Sequence, residues 1–515
     1  MIGAACGGKG SPPPPPSPPQ VSLTVASSSI VDTQIGYTLQ VTGCDAVSSV
    51  QILDKGTVVA TATYAGNPTQ GALAASQVPF ATDGIAASLS LTAKAVCADG
   101  RSNVSQAVAV TFFPVSQVIR NAGGTQVVPD QFYAEGSGAG VTFVGCSGQP
   151  NGSTALVRVD ATGAVVAANT GLPFPCSNST WFTDKNPADP NGTRWMVAPG
   201  VGIMAFGPSL QTEGFLLGAY SALAQGPDGD AVAWISQGGS PSNPQLTRVH
   251  YTNGQVLWAY QPEGLLTGNP AITSGGAVIV PEFVNQLGMN QGTVTLDLLN
   301  YNYQTTPGCT TIPCLAALSA QYALTIISYG FLGTQPPIPT GFSANGTTVY
   351  FAYQTPSAQS NVIACSTTPA GSGGCTGLDQ RWTSPSLGGV VNSALPFSNG
   401  TRIAAVAAQR GWFLDASLGT VVNAGGLAIT PTGSLITTGV SFGQGSDVYL
   451  LNGSGAALPT EIVAIDDPAR GEVFRYDMPS GTLTVAVDDS GQPWMRVGND
   501  LVKTWPLSQY RSVHP

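Results

Sequence analysis

Histidine is nearly missing from this 515-residue chain, which has only His250 and His514. His-rich metal sites, and any mechanism that needs two histidines, are therefore close to excluded. Charge is scarce as well: Asp, Glu, Lys and Arg make up 9% of the residues, against about 25% in an ordinary soluble protein. Lys and Arg supply 17 of these and Asp and Glu 27, a net charge of −10. That balance repels phosphate backbones and anionic lipid, so nucleic acid is excluded as a partner. No Cys-x-x-Cys pair and no Cys-x-x-Cys-His occurs, which removes support for zinc-ribbon, thioredoxin-like and c-type haem chemistry. The longest uncharged apolar run, Leu315 to Gly333, is broken by Ser319, Gln321, Tyr322, Thr325, Ser328 and Tyr329. It reads as a buried short helix plus strand rather than a membrane span.

What the chain has in plenty is Gly (64) and Pro (40), the residues of turns between short strands. Its length predicts two or three folding units. Three segments separate by composition: 1–20, with Cys6 and a Pro-rich run from Pro12 to Pro19; 21–114, a set of short alternating strands; and 115–515, with a longer repeating rhythm. The fold class is all-β throughout.

In 21–114 the predicted strands are Val21–Val25, Gly36–Val41, Val50–Leu53, Thr57–Ala62, Ala87–Leu91 and Ala107–Phe112, with apolar and polar residues alternating. Around Leu91 to Ser105 the chain resembles the last hairpin of bacterial immunoglobulin-like modules, which implies a β-sandwich acting as a spacer. It departs from antibody-type domains in having no tryptophan before residue 181 and Ala95 where a tyrosine corner would stand.

In 115–515 a turn with Gly followed by a β-rich run recurs eight times, at Gly140, Gly192, Gly229, Gly276, Gly346, Gly400, Gly433 and Gly491, spaced 52, 37, 47, 70, 54, 33 and 58 residues. These intervals bracket the forty to fifty residues of a four-stranded propeller blade. Gly turns at Asp160–Val165, Tyr251–Trp258, Asp415–Val421 and Asp477–Leu483 are similar to the third-to-fourth strand hairpins of quinoprotein-type (PQQ-like) propeller repeats. The resemblance implies a β-propeller of about seven or eight blades. Because the adjacent cysteine pair of the quinoprotein dehydrogenases is absent, it implies no cofactor. Trp195, Trp234, Trp258, Trp382, Trp412 and Trp494, about one per unit, suit packing between blades.

Nine cysteines leave one over. In an oxidising compartment the simplest neighbour pairing is Cys44–Cys97, Cys146–Cys176, Cys309–Cys314 and Cys365–Cys375, although six cysteines in the second unit allow fifteen arrangements. Cys6, in Ala4-Ala5-Cys6-Gly7-Gly8, resembles the lipid-bearing cysteine at the processed start of bacterial lipoproteins. Gly3 stands where that family usually has Leu and no apolar signal stretch precedes it, as in a late-called start or a trimmed chain. Gly7 after the cysteine resembles export to the outer membrane. The Pro-rich run is an extended stalk at about 3.1 Å per residue.

Candidate chemistry lies in loops. Tyr301 and Tyr303, two apart, are expected to project to one side of an extended segment and to stack on sugar or peptide, or else to pack as ordinary strand residues. The stretch Asp184 to Gly192 is oxygen-rich without the spacing of an EF-hand, and a solvated Asx turn is preferred to calcium. Asp466-Asp467 and Asp488-Asp489 are read as turn caps, since adjacent strand residues face opposite ways. A serine hydrolase needs a histidine base, and only His250 is internal. The expectation is a non-catalytic, lipid-anchored envelope protein, periplasmic or surface-exposed at the outer membrane. In it the propeller binds or scaffolds an envelope protein or a glycan, with no catalytic residue, metal or cofactor, and the membrane is met only through the anchor. The alternative is a carbohydrate-active glycosidase or lyase using loop carboxylates.

Overall fold

The computed structural model describes residues 15–62, 70–74, 87–120, 127–135, 140–147, 153–160, 162–175, 181–182, 189–235, 245–266, 270–272, 276–285, 291–302, 314–315, 320–328, 343–345, 348–352, 361–366, 380–389, 391–397, 401–408, 410–428, 435–442, 448–454, 458–465, 474–477, 479, 482–487 and 493–505. Every regular element among them is a strand. The chain divides into two compact units, Met1–Ser116 and Gln117–Pro515.

The first unit contains β1 (Gln20–Val25), β2 (Ser29–Asp32), β3 (Gln34–Thr42), β4 (Val47–Asp54), β5 (Thr57–Ala62), β6 (Gln70–Ala74), β7 (Ala87–Cys97), β8 (Ser102–Val104) and β9 (Val108–Pro114). One sheet has the order β1-β3-β6 and the other β2-β9-β7-β4-β5, with β8 hairpinned onto β7. Alternation decides which face is buried. Along β3, Ile35, Tyr37, Leu39 and Val41 point inward while their neighbours are exposed. Along β7 the inward set is Leu89, Leu91, Ala93 and Ala95. The Cys44–Cys97 disulfide is present, with Cα atoms 5.5 Å apart. Cys44 lies in the connection between β3 and β4, so the bridge ties that connection to the end of β7 rather than crossing from strand to strand between the sheets.

In the second unit the described strands form eight sheets. Their first strands are Val127–Glu135, Trp181–Phe182, Tyr220–Gln225, the split pair Leu265–Leu266 and Ala271–Ile272, Ser343–Asn345, Val391–Phe397, Leu435–Phe442 and Thr482–Val487. These first strands touch one another in order, the third being met by Arg194–Ala198 of the second sheet, and the eighth returns to touch the first. The result is a closed eight-bladed β-propeller. Closure is made by β10 (Gln117–Ile119), which pairs antiparallel with Asp500–Lys503 as the outermost strand of the last blade. Val118 is registered on Val502, and Arg120 Nη1 lies 2.8 Å from Asp500 Oδ2.

Sandwiching between two neighbouring blades explains the composition. Gly202–Phe206 is buried at every position and Arg402–Ala407 at all but the first, so middle strands read as continuous apolar runs, as strands covered on both faces do. Several of the expected tryptophans cross the seams. Trp195 Nε1 donates to Gly229 O (2.8 Å), Trp258 Nε1 to Tyr301 O (3.0 Å) and Trp382 Nε1 to Ala416 O (2.9 Å), each reaching the next blade.

Seven of the eight glycine turns precede or open the second strand of a blade. Gly433 is the exception, since it precedes the first strand of the seventh blade, Leu435–Phe442. The second strand there, Val448–Ser454, follows Gly445, which lies 45 residues after Gly400 and 46 before Gly491. The widest interval, Gly276 to Gly346, reflects an insertion between Asn300 and Ala320 in the fourth blade. Part of it, Cys314–Leu315, returns to add a parallel fifth strand to the third blade. The hairpin predictions at Asp160, Tyr251 and Asp415 fall between third and fourth strands, whereas Asp477–Leu483 joins the seventh blade to the eighth. Leu315 and 320–328 are strand, so the helix expected within that run is absent among the described residues.

Candidate functional site

Strands alternate in direction within a blade, so first-to-second and third-to-fourth connections emerge at the same end of every sheet and therefore on one face of the ring. At blades two to four this face carries a connected set of charged side chains. Asp228, Gly229 and Asp230 form the first-to-second connection of blade three, between Tyr220–Gln225 and Ala231–Ile235. Arg248 lies in the third strand, Gln245–Val249, and His250 and Tyr251 follow it. Tyr301 and Asn302 follow the third strand of blade four, Gln291–Asn300.

The turn is built locally. Gly226 N–H donates to Asp230 O (2.7 Å) and Asp230 N–H to Asp228 Oδ1 (3.2 Å), while Gly229 takes φ +93°. That φ, with Thr193 Oγ1 only 2.9 Å from where a Cβ would sit, admits glycine alone. Alternation then places Arg248 and His250 on one side of their strand, toward the two acids.

Arg248 is 3% exposed and fully engaged. Its Nε and Nη2 donate to Asp230 Oδ2 (3.0 and 2.8 Å), Nη2 also to Asp228 Oδ2 (2.6 Å), and Nη1 to Tyr301 O (2.7 Å) and Asn302 Oδ1 (3.2 Å). Its guanidinium carbon stands 3.9 Å from the centre of the Tyr301 ring. Asp230, buried, also holds His250 Nδ1 at 2.7 Å and accepts from Tyr251 N–H at 3.1 Å. The His250 side chain remains 36% exposed and that of Asp228 47%. Two carboxyl groups face one guanidinium, and of the two Asp228 is the one that reaches the surface.

The surroundings are acidic. Burial and then the charge of Asp189 raise Glu213 above the usual carboxylate range, against a hydrogen bond from Gln211 that lowers it. Tyr251 is raised by desolvation and then by Glu213, Asp189, Asp230 and Asp228. The Tyr301 phenol is raised chiefly by burial; Arg248 opposes this, while Asp228 and Asp230 add to it, so the hydroxyl stays a donor to Asp228 Oδ1.

Of the two readings of Tyr301, packing against a neighbouring blade is the one that its surroundings fit. Tyr301 is 1% exposed, packed with Trp258 and Val278 in the seam and covered by Arg248. Tyr303 lies outside the described residues, as do Cys6, Cys176, Cys309, Cys375 and the paired acids at 466–467 and 488–489. Cys146 lies in strand Gly140–Ser147 and Cys314 in Cys314–Leu315, their side chains undescribed. Cys365 is buried and disulfide-bonded. Asp189, in the oxygen-rich stretch, spends its carboxylate on Asn191 N–H (2.9 Å), Thr193 N–H (2.8 Å) and Gln225 Nε2 (3.0 Å), an Asx turn with a cross-blade bond. Gly439-Val440-Ser441-Phe442-Gly443 has the spelling of a nucleophile elbow, but Ser441 lies within a strand, paired with Tyr449, and not on a strand-to-helix turn. Sequence reasoning missed Asp228, Asp230 and Arg248 as a unit. The available signal was an Asp-Gly-Asp turn followed by an Arg-x-His at the end of the next strand but one.

No family model matches the chain, and no curated protein matches it. Among solved structures it is similar to the Dos1 propeller, at 10% identity over 76% of this chain and 94% of that one, with a TM-score of 0.46. It is also similar to Sqt1 of Chaetomium thermophilum bound to the N-terminus of the ribosomal protein L10, at 11% identity over 76% and 99% with a TM-score of 0.48. A third is the Cps50 (Swd1) beta-propeller domain of Myceliophteria thermophila, at 9% over 76% and 99% with a TM-score of 0.39. The ring itself is established by this chain's own strand pairing.

Proposed function

We propose that this chain is a non-catalytic binding or scaffolding propeller of the cell envelope, anchored through a lipid on Cys6 and held off the outer membrane by the Pro-rich stalk and an immunoglobulin-like spacer. The observation that carries the binding role is the Asp228–Arg248–Asp230–His250 set. The buried members satisfy one another, and what is left for a partner is a half-exposed carboxylate and a partly exposed imidazole on a rigid ring face. Such a ledge accepts hydrogen bonds from a cationic side chain of an envelope protein or from glycan hydroxyls, at little ordering cost. The spacer reading is supported by the order β2-β9-β7-β4-β5 opposite β1-β3-β6, with β2 parallel to β9.

The test is a binding screen of the full chain against envelope proteins and glycans, repeated with Asp228→Asn. Salt-sensitive binding that the substitution weakens supports the proposal, whereas glycan turnover by the wild type, or binding indifferent to Asp228, counts against it. For the anchor, palmitate incorporation that fails on the wild type, or persists in Cys6→Ser, removes that part alone.

A further inference from the structure

The seam between the third and fourth blades buries a second pair of acids that the binding face does not use. Glu282, in the second strand of blade four (Ala277–Asn285), and Asp297, in the third (Gln291–Asn300), are both 0% exposed. Val280 is registered on Asp297 and Glu282 on Thr295, so the two carboxyl groups share the side of the sheet that carries Val278 and Leu299. Those two apolar residues pack against Trp258, Tyr260 and Leu266 of the preceding blade and its connection.

The groups facing the pair come from both blades. Tyr260 OH, from the outer strand of blade three, donates to Asp297 Oδ2 at 2.6 Å. Gly264 N–H, from the connection between the blades, donates to Glu282 Oε2 at 3.0 Å, and Thr295 Oγ1 lies 3.2 Å from Glu282 Oε1. Glu263 adds its charge to the field on Tyr260. The charge of Asp297 opposes ionisation of Glu282, and two carboxyl groups buried side by side on one face of a sheet come together only when one carries a proton.

We propose that Glu282 and Asp297 form a one-proton lock on the seam between the third and fourth blades, closed while the pair holds its proton and loosened when the proton leaves. Loss of the proton leaves two adjacent anions in a dry interface, and their repulsion loosens the seam against the bonds from Tyr260 and Gly264, which favour the ionised pair. Burial, then the charge of Asp297, pushes Glu282 up to about 7, against the bonds from Gly264 and Thr295. The lock therefore works near neutrality. Because folded Glu282 is raised from 4.5 to about 7, the contribution of the pair to stability is complete below pH 4.5, is lost as pH rises through the interval, and levels off above about 7. Thr295, Asp297 and Leu299 alternate along one side of the strand, and Tyr301, just past its end, packs in the same core as Leu299, so loosening reaches Tyr301 and the Arg248 set. The lock itself does not require that the face bind anything.

The test is thermal unfolding of the full chain from pH 4.5 to 8.5 for wild type, Glu282→Gln and Tyr260→Phe. The expected result is a wild-type midpoint temperature that falls with pH and then flattens, a flat profile for Glu282→Gln, and for Tyr260→Phe a fall displaced to higher pH because Asp297 has lost a donor. Parallel profiles for wild type and Glu282→Gln overturn the proposal. Should a variant fail to fold, hydrogen exchange on the wild type decides. Protection at 256–266, 277–285 and 291–302 that drops more at pH 8 than at pH 5.5, after correction for intrinsic exchange, upholds the lock; equal change in every blade refutes it.

Discussion

Asp230→Asn keeps the shape of the side chain and removes the charge that Arg248 and His250 share. In the folded ring Arg248 is 3% exposed and donates two hydrogen bonds to Asp230, at 2.8 and 3.0 Å. After the substitution the carboxylate that still pairs with it among the described residues is Asp228, which is half in solvent. Breaking one side of a buried pair costs about 3–5 kcal/mol. Unfolding entropy of about 2.1 cal/mol/K per residue gives a ring of this size about 0.8 kcal/mol/K, so the melting temperature should drop by about 4–6 °C. The assay is calorimetry of the transition assigned to Gln117–Pro515. Pairing the substitution with Arg248→Met removes the stranded charge, so the double variant should lose less than the two single losses combined, with a coupling of at least about 2 kcal/mol. A drop under about 1 °C for the single variant, or strict additivity in the double, refutes the reasoning.

Other outcomes follow from the same contacts. Gly254, at φ +69°, has Phe215 O 2.3 Å from where a Cβ would sit; Gly254→Ala is expected to destabilise the ring by more than about 2 kcal/mol, read as a lower denaturation midpoint. Cys44→Ala with Cys97→Ala opens a loop of 53-residue separation and should cost the first unit about 4 kcal/mol, with the melting of the ring unmoved. A chain beginning at residue 121 lacks Gln117–Ile119 and should expose the edge of the last blade, appearing as aggregation in light scattering; one beginning at 115 should stay monodisperse.

The ring was readable from sequence because each blade needs a glycine turn before its second strand, and that requirement recurs with the blade. The count of eight matched the blades but the seventh position slipped at Gly433, because Thr432-Gly433-Ser434 and Gly445-Ser446-Asp447 are equivalent as turn sequences and only strand pairing distinguishes them. Tyr301 was legible as an aromatic at an extended position, but its burial was set by Arg248 from another blade, a contact 53 residues away that spacing does not encode. Glu282 and Asp297 were legible only as acids inside otherwise apolar runs. The physical oddity of such placement is itself a signal, since an isolated acid in a strand covered on both faces must share a proton or find a partner.

The central claim is the closed eight-bladed ring sealed by the strand that follows the first unit. An experimental density map of the full chain tests it directly. The account predicts eight sheets around one axis, with Gln117–Ile119 lying antiparallel to Asp500–Lys503 and Val118 opposite Val502. An open arc, a different number of sheets, or a last blade completed by any other segment would contradict it.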